Sequence, residues 1–100
     1  VLRFYTLLDR GLLGDPESTR RIWAAMGPPR QSHKFVHGLR GRKVRFLARK
    51  SGTWRDYHSD SAVIEHRGRR YAAVALVQHP DGARAVTASI RIMDDLVVRP

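Results

Sequence analysis

One hundred residues suffice for one small domain, and the absence of cysteine excludes both a disulfide framework and a thiolate metal site. A net charge of +10 and a pI near 11.4 admit nucleic acid or an anionic membrane as partners. The cations are scattered, however, at positions such as Arg3, Arg20, Arg45, Arg67, Arg84 and Arg91, without the dense stripe or aromatic platform of a phosphate-tracking surface. No apolar run reaches the roughly 18–20 residues of a membrane span.

The chain begins at Val1, inside an amphipathic pattern and without a basic-then-apolar leader, so it is expected to be a segment of a longer protein. Val1, Phe4, Tyr5 and Leu8 recur at i, i+3, i+4 and i+7 and predict one face of a helix. Gly11 and Gly14 break it. Asp15-Pro16-Glu17 then supplies an N-cap, a proline in the first helical position and an acid in the first turn. The helix that follows directs Ile22, Trp23 and Met26 inward and stops at Gly27-Pro28-Pro29. Residues 30–42 read as loop with one helical turn at 32–37.

The period changes at Val44. Val44, Phe46 and Ala48 alternate with Arg45, Leu47 and Arg49, which predicts a strand. Residues 51–59 read as its connection, with Ser59 and Asp60 in a turn. A second strand covers 61–66, Arg67-Gly68 turns the chain, and 70–78 forms a third strand antiparallel to the second. The Tyr71 to Val77 run is apolar on both faces and is expected to be the most buried strand. Asp81-Gly82 opens a last helix with Ala83, Val86, Ile90, Met93 and Val97 as its inner stripe. The fold class is therefore α+β: an antiparallel three-stranded sheet, two N-terminal helices and a long C-terminal helix.

Lys50-Ser51-Gly52-Thr53 closes the first predicted strand. An ammonium and a hydroxyl flank a glycine that lets a substrate approach the backbone, and the next N–H can face a developing oxyanion. From about residue 45 to 98 the chain resembles the C-terminal part of serine β-lactamases, class A in particular, and of penicillin-binding proteins. In that family a strand bearing K-[ST]-G is followed by two antiparallel strands and a terminal helix. The matching residues are Lys50-Ser51-Gly52-Thr53-Trp54, then Asp60-Ser61-Ala62-Val63-Ile64, Gly68-Arg69-Arg70-Tyr71 and the final helix.

The resemblance implies an acyl-transfer site. Lys50 would orient and electrostatically stabilise the substrate and the proton network. Ser51 would hydrogen-bond the substrate carboxylate, Gly52 would keep the strand edge open, and the Thr53 N–H would be one oxyanion donor. Trp54 would line the substrate cleft or plug the end of the sheet. The substrate would be a β-lactam or a related peptide-like amide, no cofactor or metal is called for, and the compartment would be periplasmic or secreted.

The chain departs from the family in having no S-x-x-K, because Gln31, Arg40 and Leu47 stand three residues before Lys34, Lys43 and Lys50. Ser59-Asp60-Ser61 follows the KSG strand where the family's S-D-N precedes it. These residues are therefore expected to be the C-terminal part of one β-lactamase-like domain, inactive alone and prone to self-association through an exposed apolar face. A non-catalytic member of the same fold and an Arg-rich nucleic-acid binder are the rival readings. His33 and His37, four apart, suggest half a zinc site, but His33 is followed by Lys34 and a structural role is favoured. His58, His66 and His79 read as loop or strand-edge residues, and Asp94-Asp95 as acids on a solvent face.

Overall fold

The computed structural model describes residues 1–26 and 33–98. Two helices come first, α1 (Leu2–Asp9) and α2 (Pro16–Met26), then a single turn, α3 (Phe35–Gly38). Strands β1 (Val44–Trp54), β2 (Tyr57–His66) and β3 (Arg69–Gln78) follow, and α4 (Gly82–Val98) ends the chain. The strands form an antiparallel sheet in the order β1-β2-β3. The expected helix stop at Gly27-Pro28-Pro29 lies outside the described residues.

Local chemistry explains the boundaries that sequence signals located well. The Asp15 carboxylate accepts from the Ser18 N–H at 2.7 Å, a cap that holds its pKa below the usual carboxylate value. Arg67 and Gly68 both adopt positive φ (53° and 75°), and a two-residue turn of that kind matches the twist of the β2–β3 hairpin.

The sheet carries a core on each face. On one, Phe35 and Leu39 around α3 and Val86 and Ile90 of α4 pack on Ala62 and Ile64. On the other, Tyr5 and Leu8 of α1 pack on Ala48 and Val63, with Ile22, Trp23 and Met26 of α2 partly buried beside them. Trp23 is thus a packing residue. Val1 and Phe4, expected on the inner face of α1, remain 69% and 37% exposed.

Several expectations are corrected. β1 does not end near Lys50 but runs to Trp54, and its connection to β2 is only Arg55 and Asp56, with Arg55 at φ +54°. Ser59 and Asp60 lie inside β2, opposite Gly52 and Ser51. Backbone pairing carried the strand through a polar stretch that has no apolar alternation to reveal it. The most buried strand is β2, not β3. β2 is paired on both edges and covered on both faces, whereas β3 lies at the margin of the sheet and Leu76 is 69% exposed.

Asp94 is a further correction. It faces the core, fully buried, while its neighbour Asp95 is exposed. Its carboxylate accepts from Tyr71 Oη at 2.6 Å and Arg42 Nη1 at 2.7 Å, and pairs with His66 Nδ1 at 2.8 Å. His66 is accordingly a buried residue of the central strand, not a loop or edge residue.

α3 and α4 approach closely at Gly38. A Cβ there would fall 2.3 Å from the Thr87 carbonyl oxygen and 2.5 Å from Ile90 Cγ2. Gly38→Ala is therefore expected to destabilise the protein by about 1–3 kcal/mol, measured by denaturant titration. An unchanged midpoint would mean that this helix contact yields freely.

Candidate active site

The KSGT residues occupy the free edge of the sheet, since β1 pairs with β2 alone among the described strands. Alternate residues of an edge strand turn their N–H and C=O outward, where another chain or a substrate can meet them.

Register assigns the side chains to faces. Lys50 opposes Ser61, Gly52 opposes Ser59 and Trp54 opposes Tyr57. Ser61 Oγ lies 2.9 Å from Tyr5 Oη, so this set shares the α1 side of the sheet. Burial raises the Tyr5 pKa, partly offset by the Ser61 bond. Ser51 opposes Asp60 and Thr53 opposes His58, on the α3–α4 side. Lys50 and Ser51 therefore project to opposite faces.

On the α1 side a depression of about 360 Å³ is lined by Val1, Lys50, Gly52, Ser59, Ser61 and Leu76, among others. Lys50 is exposed at its rim and donates to the Ser51 carbonyl at 2.6 Å. Trp54 is 64% exposed and does not plug the sheet; its ring lies 6.1 Å from that of Tyr57, with the Arg55 guanidinium 4.6 Å from its centroid.

The α3 side holds a buried polar cluster around Arg49 and Asp60, a pairing that no sequence spacing signals. Arg49 Nη2 pairs with Asp60 Oδ2 at 2.8 Å, both side chains nearly or fully buried. Asp60 also accepts from the Phe35 N–H at 3.0 Å, which pins the start of α3. Arg49 contacts His33 through Nδ1 at 2.8 Å and its carbonyl at 3.2 Å. Burial, then Arg49 and Lys34, lower the His33 pKa, with Asp60 opposing. His33 precedes α3 and His37 is exposed on it, so the two do not share a helix face as a ligand pair. Among the described residues no three or more acids and histidines come together as a metal-binding group.

Lys34 is buried beneath the KSGT strand. Its Nζ donates to the Gly52 carbonyl at 2.8 Å, Thr53 Oγ1 at 2.9 Å and the Ser59 carbonyl at 2.9 Å. Burial lowers its pKa; Asp60 opposes, while Arg49 and Lys50 push the same way as burial. One signal in the sequence could have flagged it. Nearly every cation is arginine, so a lysine marks a place where a compact ammonium is used in its stead.

The fold around this edge also answers to known proteins. The sequence profile of the β-lactamase enzyme family matches residues 1–98. The chain belongs to that family. A solved structure titled "Structure of PBP-A" superposes with a TM-score of 0.69 at 16% identity, over 94% of this chain and 38% of that one. At that identity the likeness establishes the fold alone, and the chain spans well under half of the PBP-A chain. No curated protein sequence matches the chain. A serine β-lactamase-like hydrolase family thus accounts for the antiparallel sheet and the helices packed on it.

Proposed function

We propose that these residues form the KSGT wall of a serine acyl-transfer site that hydrolyses a β-lactam or related amide, with the nucleophile supplied by another part of the protein. The observation that carries the reading is Lys50, exposed beside the 360 Å³ depression on the free edge strand of a β-lactamase-family sheet. Lys50 would stabilise negative charge on the substrate and in the proton network, Ser51 would donate to its carboxylate, and Gly52 would leave the edge open. The Thr53 N–H would be one oxyanion donor. Trp54, exposed at the end of the same edge, would contact the substrate's substituent.

In the reaction the serine oxygen attacks the amide carbonyl carbon, the C–N bond breaks and the nitrogen takes up a proton. Water then hydrolyses the ester. The absence of S-x-x-K from the 100 residues, and the partial span of the PBP-A chain, support placing the nucleophile elsewhere. The exposed apolar residues Val1 before α1, Leu2 and Phe4 of α1 and Leu76 of β3 would pack against that other part. The family reading also carries export, to a periplasmic or secreted location; no described helix is long and apolar enough to cross a membrane.

Intact mass tests the proposal. The complete reading frame that carries this sequence should gain one β-lactam mass on incubation, and these 100 residues alone should gain none. No adduct on either would turn the reading toward a hydrolase of other amides or a non-catalytic relative. An adduct on the short chain alone would refute the assignment of the nucleophile.

A further inference from the structure

We infer that Lys34 is a positioning residue that sets the direction of the Thr53 N–H. The catalytic consequence rests on the acyl-transfer reading above, while the clamp stands on geometry alone.

An ammonium has three N–H donors and no acceptor. Lys34 has an oxygen for each: the Gly52 carbonyl, Thr53 Oγ1 and the Ser59 carbonyl, at 2.8, 2.9 and 2.9 Å. A group so satisfied holds the strand and has no donor left for a substrate. The Gly52 carbonyl and the Thr53 N–H belong to one planar trans peptide and point in opposite directions. Fixing the carbonyl oxygen on Lys34 therefore fixes the N–H proposed to face the oxyanion. Because Thr53 Oγ1 accepts from the ammonium, its hydroxyl hydrogen is left to donate elsewhere.

The backbone at Lys34 is consistent with an imposed position. Its φ of 50° and ψ of −119° form a conformation that a side chain disfavours. Contacts on either side hold it there: Arg49 grips the His33 carbonyl at 3.2 Å, and Asp60 accepts the Phe35 N–H at 3.0 Å. The charged groups facing Lys34 are Asp60, Arg49 and Lys50, and its own side chain is almost wholly buried. An arginine fork could not converge on the same oxygens from one point.

The experiment uses the complete reading frame and compares wild type with Lys34→Met and Lys34→Arg. The acylation rate constant at saturating β-lactam is measured by intact mass, with half-saturation measured separately. Amide hydrogen exchange over residues 50–54 is the readout independent of activity. Lys34→Met should slow acylation about 10- to 100-fold, the scale of a small misplacement of a reacting group, with half-saturation little moved. Exchange at 52–53 should quicken while α4 keeps its protection. Should Lys34→Met fail to fold, Lys34→Arg is read the same way, with a smaller change expected.

If wild type forms no adduct, the β-lactam form of the reading fails and exchange alone judges the clamp. Unchanged exchange at 52–53 overturns the clamp. Faster exchange with unchanged acylation overturns the positioning role. A rise in half-saturation with the rate constant intact would make Lys34 a substrate-binding residue, and would overturn the inference too.

Discussion

Replacing Asp94 with alanine should cost about 3–5 kcal/mol, the scale for removing one partner of a buried charge pair. The carboxylate is where Tyr71 of β3, His66 of β2 and Arg42 before β1 converge on α4. Alanine would leave the Tyr71 hydroxyl, the His66 ring nitrogen and one arm of Arg42 without this acceptor. Arg42 keeps Asp95 at 2.8 Å and softens the loss. Denaturant titration of the protein carrying this chain would measure it, and a loss below about 1 kcal/mol would mean water replaces the network.

The same site predicts an acid limb. Burial pushes the Asp94 pKa up, but the bonds from Tyr71, Arg42 and His66 outweigh it, so the folded value lies below the ordinary one. A carboxyl with a depressed folded pKa contributes stability that is fully present above its unfolded pKa, about 3.9, and is lost as pH falls through the folded value. Wild type should therefore lose stability below about pH 4 more steeply than Asp94→Ala. Matching acid limbs would remove Asp94 from the account. On the other side of this network, burial and the Asp94 bond raise the Tyr71 pKa, so Tyr71 stays a neutral donor.

Asp94 also shows where sequence patterns stop. The α4 stripe of Val86 and Ile90 and the Arg67-Gly68 hairpin were legible because their signals are local: a helical period and a turn dipeptide. A buried acid looks the same in sequence as a solvated one, and its partner Arg42 lies 52 residues away. Arg49 with Asp60, and Lys34 with Ser59, are 11 and 25 residues apart and leave no local signal for the same reason. The KSGT residues are visible as a motif, but the strand that bears them runs past any sequence signal, since Lys50, Ser51, Gly52 and Thr53 present no apolar alternation. β3 reads as the most buried strand because apolar content alone cannot tell a central strand from a marginal one.

Lys50→Met should slow acylation of the complete protein by roughly 10²–10³-fold, the scale for losing an electrostatic contact made to developing charge. Stability should hold within about 0.5 kcal/mol, because the side chain is exposed. The contrast with Lys34 makes the expectation specific. Lys34 spends its donors on Gly52, Thr53 and Ser59, whereas Lys50 donates to the Ser51 carbonyl beside the open depression. Its other N–H groups can therefore meet a substrate oxygen or the proton network of the nucleophile. Because Lys34 reaches β1 from the α3 side and Lys50 projects from its other face, exchange and chemistry separate them. Lys34→Met should loosen the backbone at 52–53, while Lys50→Met should leave that backbone protected and remove the charge at the site. Quickened exchange in Lys50→Met, or acylation at the wild-type rate, would move the catalytic role away from Lys50 and leave the edge strand as a binding surface only.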